Sequence, residues 1–354
     1  MNAQRDPLAG KIPVTLITGF LGSGKTTLIS RLVQHPDMQR VAVVINEIGE
    51  IGIDHDLVTM SSENITLLAN GCICCSVRTD LQETLRDLFA RRRAGEIADF
   101  DRVIVETTGL ADPAPVVQTL VSDTLLAAQY RLDGVVTLVD AIHGAHQIAQ
   151  QPETPKQIAL ADRIFITKSD MVGRDCLENL ISCITAINPS ARSSLIVNGE
   201  VHPDALTNIG LSSARAGQAT LSFLGESLEP NNTAGGRYLG KLGKRSALHD
   251  SAIKTISLRF DMPFAWDALS SALELLTMLR GPDLLRVKGI VNIDGCPVVI
   301  QGVQHIFHPP VKLDRWPSAD TGSRLVFITR NIQGEVIRNL LKAVVDVSAP
   351  TVSQ

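Results

Sequence analysis

The chain has 354 residues, of which 33 are basic and 37 acidic, giving a net charge of −4. This near balance, without a long basic block, argues against nucleic acid or an anionic membrane surface as a partner. The length allows one large domain or two ordinary domains. The first residues contain no apolar targeting segment, and no window holds the roughly 18 apolar residues that span a bilayer, so we expect a cytoplasmic protein.

The first 200 residues alternate short apolar runs with segments of helical periodicity. Five runs are apolar on both faces and predict buried strands, at residues 14–18, 41–45, 102–106, 134–140 and 163–167. One face of the helical segment 79–92 carries four apolar side chains, Leu81, Leu85, Leu88 and Phe89. This alternation predicts an α/β domain over residues 1–210, with a mostly parallel sheet flanked by helices.

The second half of the chain follows a different pattern. Residues 211–250 are rich in glycine, serine, asparagine and charge, which predicts a linker. Beyond it come an alternating strand, a helix that begins after Pro263, a hairpin that turns at Asp294-Gly295, and a last strand and helix. These elements predict a small α+β domain over residues 251–345, followed by a tail at 346–354.

The segment "GFLGSGKT" follows the first predicted strand and opens a helical run. It matches the phosphate-binding pattern G-x-x-x-x-G-K-[ST], whose backbone N–H groups and helix N-terminus surround phosphate oxygens. Lys25 would neutralise the β- and γ-phosphates, and the Thr26 hydroxyl would ligate Mg²⁺. The nucleotide-binding residues predicted here are Gly19, Gly22, Ser23, Gly24, Lys25, Thr26 and Thr27.

A second acidic group is expected at the end of a neighbouring strand. The segment "ETTG" places Glu106 directly after an apolar run and Gly109 three residues later. Glu106 would hold Mg²⁺ through water, and the Gly109 amide would meet the γ-phosphate as a switch contact. A strand-end glutamate that merely faces solvent is the alternative. We take Lys25, Thr26 and Glu106 as the catalytic set.

The segment "TKSD", at the end of another predicted strand, is similar to the guanine-reading pattern N-K-x-D. An ionised Asp170 accepts hydrogen bonds from the ring N–H and amino group of guanine, whereas adenine presents an acceptor there. Lys168 would lie along the base plane. Thr167 stands in place of the usual asparagine. The pattern favours GTP over ATP, with a P-loop ATPase or kinase as the alternative.

Three of the six cysteines fall within four positions, at Cys72, Cys74 and Cys75. In a reducing compartment such a cluster indicates a metal or redox site more often than a disulfide, and a bridge between adjacent cysteines strains the backbone. Three thiolates suit a tetrahedral Zn²⁺. Redox chemistry and simple packing are the alternatives. The other cysteines are expected to be small buried hydrophobic residues, at Cys176, Cys183 and Cys296.

Seven motifs occur in a fixed order from Pro13 to about Val344, and G-C-I-C-C between the phosphate loop and E-T-T-G is the most specific of them. The quoted segments are "TGFLGSGKTTL", "NEIGE", "NGCICCSVR", "ETTGLADP", "LVDAIH", "TKSD" and "LLRVKGI" with "RLVFI". In this combination the chain resembles the CobW-like (YjiA-type) P-loop GTPase family of metallochaperones.

The resemblance implies Mg²⁺-dependent GTP hydrolysis and binding of zinc, or of Co²⁺ or Fe²⁺, through the C-x-C-C cysteines. It implies that Glu50, in "NEIGE", adds a carboxylate to the metal site, a histidine being the other way to complete it. Two departures matter. Ile45 stands where some relatives carry an acidic ligand, and the linker lacks a histidine-rich tract. Both favour one compact site over metal storage.

His143 follows a predicted strand and is a candidate extra ligand, although the pattern favours an ordinary histidine at a helix start. The other histidines are expected to be surface or core residues, at His35, His55, His146, His202, His249, His305 and His308.

The motifs together predict a switch in which GTP and metal act on the same segment, so that each alters the affinity for the other by the same factor. Hydrolysis would then release metal to a client metalloprotein. The C-terminal domain would offer a sheet to the client or to a second copy in a homodimer, or would only pack on the first domain. A nucleotide-gated zinc-binding adaptor with negligible turnover is the alternative from another class.

Overall fold

Two β-sheets with their helices form the fold. The computed structural model describes residues 10–46, 58–62, 65–68, 73–76, 81–207, 209–210, 220 and 253–348. Most of the predicted linker lies outside these ranges. Within the part of the chain that is described, no helix has the length and apolar character needed to cross a membrane.

The first sheet has nine strands in the order β3-β4-β5-β2-β6-β1-β7-β8-β9. The strands are β1 (Ile12–Gly19), β2 (Val41–Asn46), β3 (Val58–Ser62), β4 (Ile65–Leu68), β5 (Ile73–Ser76), β6 (Arg102–Thr107), β7 (Tyr130–Asp140), β8 (Arg163–Thr167) and β9 (Arg192–Leu195). From β5 to β9 all neighbours are parallel. An antiparallel extension of β3 and β4 adds to β5. The sheet therefore confirms the predicted, mostly parallel architecture.

Helices cover both faces of this sheet. They are α1 (Lys25–Val33), α2 (Leu81–Ala94), α3 (Ala114–Ser122), α4 (Thr124–Gln129), α5 (Gly144–Gln150), α6 (Glu153–Leu160) and α7 (Arg174–Ile187). Consecutive residues of β1 pack on opposite faces of the sheet, because side chains alternate along a strand. Leu16 packs in the layer of α2 and α3, whereas Ile17 packs with Leu28 and Leu32 of α1. This is why the strand sequences are apolar at nearly every position.

The C-terminal domain is a sheet whose longer strands are antiparallel, covered by two helices. Its strands are β10 (Ile253–Phe260), β11 (Arg286–Ile293), β12 (Cys296–Val303), β13 (Ile306–Phe307), β14 (Val311–Lys312) and β15 (Ser323–Arg330), and its helices are α8 (Trp266–Arg280) and α9 (Gly334–Ser348). The predicted turn at Asp294-Gly295 joins β11 to β12, with positive φ at both residues. That backbone matches the twist of the paired strands and favours glycine at the second position.

A buried ionic cluster joins the two domains. Asp162, at the loop before β8, accepts hydrogen bonds from Arg286 Nη2 at 2.7 Å and from the Val135 N–H at 2.8 Å, and it pairs with Lys288. The three ionised side chains are at most 5% exposed. Burial alone would raise the pKa of Asp162, but the charges of Arg286 and Lys288 outweigh it and hold that pKa below its ordinary value.

Apolar and polar contacts extend this interface. Ala159 of α6 packs with Leu285 and Ile328 of the C-terminal domain. The side chains of Gln118 and Gln304 are hydrogen-bonded at 2.9 Å. On the first domain these contacts come from α3, α6 and the residue directly before β8.

Two expectations about cysteines are wrong. Cys176 is exposed, and Cys183 and Cys296 are half-buried rather than core residues, because each lies on a surface that its element leaves partly uncovered. The second concerns the cysteine motif, where none of the five strands was predicted. Cys74 and Cys75 instead lie within β5, since this segment completes main-chain hydrogen bonds with β2 and β4.

His308 should make the protein less stable in mild acid. Burial, with a smaller contribution from the charge of Arg286, lowers the pKa of His308 from 6.5 to about 3. The unfolded chain therefore binds a proton below pH 6.5 that the folded chain does not, and stability is lost as the pH falls from 6.5 toward 3. Asp162, whose pKa is lowered from 3.8, adds a further loss only as the pH falls through about 4, outside the range from pH 7 to 5. Between pH 7 and 5 we expect a loss on the order of 1–2 kcal/mol from His308.

Chemical denaturation at pH 7 and pH 5 measures this loss. In His308→Gln the pH dependence should be flatter by that amount, whereas the exposed control His305→Gln should behave as the wild type. Equal pH dependence of wild type and His308→Gln would contradict the assignment.

Candidate nucleotide and metal site

The phosphate loop connects β1 to α1 and has the backbone that a nucleotide requires. Gly19 adopts a φ of 145°. A Cβ at Gly19 would lie 2.4 Å from the carbonyl oxygen of Leu138 and 2.7 Å from Ser23 Oγ. Only glycine fits where the loop leaves the strand against β7. The loop therefore leads from β1 directly to the N-terminus of α1, the end of a helix that favours phosphate binding.

Two polar side chains of the loop, Lys25 and Ser23, are positioned to bind an anionic ligand. Lys25 is 6% exposed, and its Nζ donates to the carbonyl oxygens of Gly19 at 3.0 Å and Phe20 at 3.4 Å. Ser23 Oγ is buried and has no hydrogen-bond partner among the described residues. A buried hydroxyl without a partner is unfavourable unless a ligand or water satisfies it. Triphosphate oxygens fit both groups.

Thr26 and Glu106 meet at the place expected for Mg²⁺. Thr26 Oγ1 donates to Glu106 Oε1 at 3.4 Å, and Glu106 is 1% exposed. The next residue of β6, Thr107, donates to Thr18 of β1 at 2.8 Å between two fully buried hydroxyls. A hydroxyl and a carboxylate are oxygen ligands suited to Mg²⁺. The structure thus excludes the solvent-facing alternative for Glu106.

The segment after Glu106 lies against the phosphate loop. A Cβ at Gly109 would lie 2.7 Å from the backbone nitrogen of Leu21 and 2.9 Å from its Cα. Any side chain at position 109 would push the two segments apart. The close approach places the Gly109 backbone beside the loop that surrounds the phosphates, which is the geometry of the predicted switch contact.

A glutamine that the sequence did not indicate anchors this segment. Gln157 of α6 is fully buried, and its Nε2 donates to the carbonyl oxygens of Gly109 and Ala111, each at 3.1 Å. The Thr137 hydroxyl donates to the backbone carbonyl of Gln157 at 2.8 Å. Gln157 therefore connects the segment beside the phosphate loop to β7. Because it lies in an ordinary amphipathic helix, far from any motif, no sequence signal identifies it.

The "TKSD" segment is hydrogen-bonded to the phosphate loop. Thr167 Oγ1 donates to the Ser23 carbonyl at 2.9 Å, so the hydroxyl makes a link between loops despite the missing asparagine amide. Lys168, with a φ of 54°, donates from Nζ to the Gly22 carbonyl at 2.9 Å and to Asp140 Oδ2 at 2.7 Å. Asp140 is a further site residue that the sequence analysis missed.

Asp170 lies beyond this link, in a short 3-10 helix (Ser169–Met171), and is exposed. The exposed carboxylate is open to a ligand, whereas the carboxylate of Asp140 is 2% exposed and already paired with Lys168. Asp140 and Asp170 therefore have different roles in the site. Asp140 holds Lys168, and Asp170 presents a free acceptor at the end of β8.

The register of the parallel strands relates the cysteines to this site. Cys74 pairs with Val43 and Cys75 with Val44 across β5 and β2, and β2 in turn pairs with β6. Ile45 aligns with Ser76 on one side and Glu106 on the other. With strands about 4.8 Å apart, the backbone of Cys75 lies about 10 Å from that of Val105, the residue before Glu106.

Two of the predicted metal ligands, Cys72 and Glu50, lie outside the described residues. Two other candidates lie on the surface. Thr27 is exposed on α1, and His143 is exposed directly before α5.

Comparison with known proteins agrees with these features. Residues 13–194 match the family described as CobW/HypB/UreG, nucleotide-binding domain, and residues 253–345 match the cobalamin synthesis protein CobW C-terminal domain. The zinc chaperone YjiA of Escherichia coli is 35% identical, over 92% of this chain and 96% of its own length. The zinc chaperone CobW of Pseudomonas aeruginosa is 30% identical, over 94% and 91%.

A solved structure is also similar. The crystal structure of the Zn(II)-bound YjiA GTPase from E. coli has a TM-score of 0.74 and 33% identity, and the match covers 94% of this chain and 99% of that one. With both domains matched in order, the chain belongs to the CobW/HypB/UreG family and carries the CobW C-terminal domain.

Proposed function

We propose that this protein is a GTPase that carries zinc and delivers it to a client metalloprotein. The observation that supports this most directly is the register of β5, β2 and β6, which sets Cys74 and Cys75 two strands from Glu106. The cysteine ligands and the γ-phosphate contacts would then lie on strands that are close neighbours in the sheet. The names of the relatives, a zinc chaperone and a Zn(II)-bound GTPase, agree with it.

In the nucleotide site, Lys25 would bind the β- and γ-phosphates and Asp170 would select guanine. Thr26 and Glu106 would hold Mg²⁺, which supplies charge neutralisation at the transferred phosphoryl group. The Gly109 amide would bind the γ-phosphate, and Gln157 would keep that amide in position. Loss of the γ-phosphate would remove the ligand that holds this segment against the phosphate loop.

In the metal site, the thiolates of Cys72, Cys74 and Cys75 would bind Zn²⁺ as cargo, with Glu50 completing the shell. Co²⁺ and Fe²⁺ share these ligand types and would compete. The segment of Glu50 follows β2, and the segment of Gly109 follows β6. Hydrolysis would therefore change the conformation of the segments at the C-terminal ends of these two neighbouring strands. Metal release to a client in the cytoplasm would follow. The C-terminal domain would bind that client or a second copy of this chain.

Asp170→Ala should lower GTP affinity by roughly 10²- to 10⁴-fold, because two hydrogen bonds from guanine to a charged acceptor are lost. ATP affinity should not change. Titration with Mg-GTP and Mg-ATP measures both, and Asp175→Ala, an exposed aspartate on α7, is the control. An equal loss of both nucleotides would instead favour a P-loop ATPase or kinase.

Cys74→Ser with Cys75→Ser should abolish tight Zn²⁺ binding and leave GTP binding intact, since the nucleotide residues lie on other strands. Zinc content after dialysis and GTP titration report the two properties. Cys176→Ser with Cys183→Ser, which changes two cysteines outside the motif, should retain the metal. Stoichiometric zinc that the Cys74/Cys75 variant retains through dialysis would contradict a thiolate site.

Gln157→Met should reduce the rate of GTP hydrolysis about tenfold, because two buried hydrogen bonds to the Gly109 segment are lost. GTP affinity should change much less, as Gln157 does not reach the phosphate loop. Multiple-turnover phosphate release, with and without Zn²⁺, is the measurement, and Gln147→Met on α5 is the matched control. Negligible turnover of the wild type in both conditions would instead favour a nucleotide-gated zinc adaptor.

A further inference from the structure

The same short motif occurs twice on one surface of the first domain. "HPDM" at residues 35–38 and "HPDA" at residues 202–205 each fold into a short 3-10 helix. In both, the histidine precedes the helix, and its Nδ1 accepts a hydrogen bond from the N–H of the aspartate two residues later. The distances are 3.2 Å for His35 and Asp37 and 3.3 Å for His202 and Asp204. Two equivalent turns therefore present two histidines with the same local geometry.

The packing of the first domain brings these turns together. A Cβ at Gly199 would lie 3.0 Å from the carbonyl oxygen of Thr27, so the chain before His202 runs directly along α1. Met38 and Leu206, one from each turn, are buried in the same core. The rings of His35 and His202 consequently meet edge to face, with centroids 5.5 Å apart. The approach of the two histidines is fixed by buried residues beneath them.

A carboxylate completes a set of three donors. One donor atom from each of His35, Asp37 and His202 lies within 4.8 Å of the other two. Ligands at about 2.0–2.1 Å from a tetrahedral Zn²⁺ are about 3.3 Å apart, so an inward movement of one to two ångströms is required. Asp37 and His202 are exposed and His35 is half-buried, which leaves these side chains free to make that movement.

The fourth residue of the cluster suits an orienting role. Asp204 Oδ2 lies 3.2 Å from Nδ1 of His202. In the structure Nδ1 accepts from the Asp204 N–H. When Nε2 binds a metal, the proton of the neutral imidazole moves to Nδ1, and the hydrogen bond from the Asp204 N–H is exchanged for one donated to this carboxylate. Pairing of a ligating histidine with a carboxylate is the usual arrangement around protein-bound zinc, and it raises the basicity of the ligand.

We propose that His35, His202 and Asp37 form a second metal site, which binds Zn²⁺ or a similar divalent transition ion through nitrogen and oxygen. The site lies at the C-terminal end of α1, whereas Lys25 begins that helix, and nine residues span about 13 Å. Zn²⁺ binding here needs neither nucleotide nor the cysteines. Its nitrogen and oxygen donors also distinguish it chemically from a thiolate site.

The test uses the full chain with Cys72, Cys74 and Cys75 changed to serine. This variant should lose the Zn²⁺ that survives dialysis, yet in titration with free Zn²⁺ it should still bind one equivalent, more weakly than the thiolate site and with the same affinity in the presence and absence of GTP. Co²⁺ bound to it should show ligand-field bands without the charge-transfer absorption of thiolates. His35→Ala or His202→Ala, added to this background, should weaken binding by at least about tenfold, and Asp204→Asn should weaken it less than either.

His146→Ala in the same background is the control, because His146 is an exposed histidine on α5 outside the cluster. Circular dichroism and GTP titration establish that each variant is folded. The proposal is overturned if the cysteine-free chain binds no Zn²⁺ or Co²⁺, or if its metal binding is unaffected by both His35→Ala and His202→Ala. Loss of the thiolate absorption alone bears only on the cysteine motif and leaves this site to be judged by the histidine variants.

Discussion

Parallel pairing of the strands from β5 to β8 is the constraint on which the rest of the structure depends. Parallel strands end at one edge of a sheet, so residues far apart in the chain arrive there together. Gly19 and Thr167 end β1 and β8, and Glu106 is the last residue but one of β6. Ser76 ends β5 at the same level as Glu106. Nucleotide and cysteine motifs thus become neighbours through backbone hydrogen bonding, before any side-chain contact is made.

At this edge, some segments are joined to one another and others are held by single side chains. The Thr167 hydroxyl and the Lys168 ammonium join the base-reading segment to the phosphate loop with no nucleotide required. Because these links are already formed before the nucleotide binds, binding does not have to order the two segments. The links therefore pre-organise the site for its nucleotide. The Gly109 segment depends instead on one glutamine, Gln157. Such a segment is better suited to respond to the γ-phosphate.

The fold and the main motifs follow from local sequence. Runs such as 102–106 are apolar on both faces and therefore predict buried parallel strands, and the glycines of the phosphate loop follow from its steric needs. Strand β5 was missed because its cysteines and serine lack the apolar pattern of its neighbours, so its place depends on β2. The residue types and spacing of the cysteine motif are enough to predict metal-binding chemistry, whereas its secondary structure could not be predicted from the local sequence.

The residues that sequence analysis missed have their partners far away in the chain. Gln157 lies 48 residues from Gly109, and Lys168 lies 28 residues from Asp140. Neither pair has a spacing that a local pattern could reveal. The two His-Pro-Asp turns are visible as a repeated tripeptide, yet only the packing of Gly199 on α1 shows that they meet. Contacts between side chains that lie this far apart in the chain can be identified only from the tertiary structure.

The ionic cluster at Asp162 has a consequence for how the two domains can change in evolution or in engineering. One carboxylate from the first domain serves both Arg286 and Lys288 of the second, in a place from which water is excluded. If the C-terminal domain came from a homologue that lacks either cation, the buried carboxylate of Asp162 would lose one of its two partners. If the first domain lacked this carboxylate, the positive charges of Arg286 and Lys288 would be buried together without a counter-charge from that position. Exchange of domains therefore requires that these three positions be inherited as one unit.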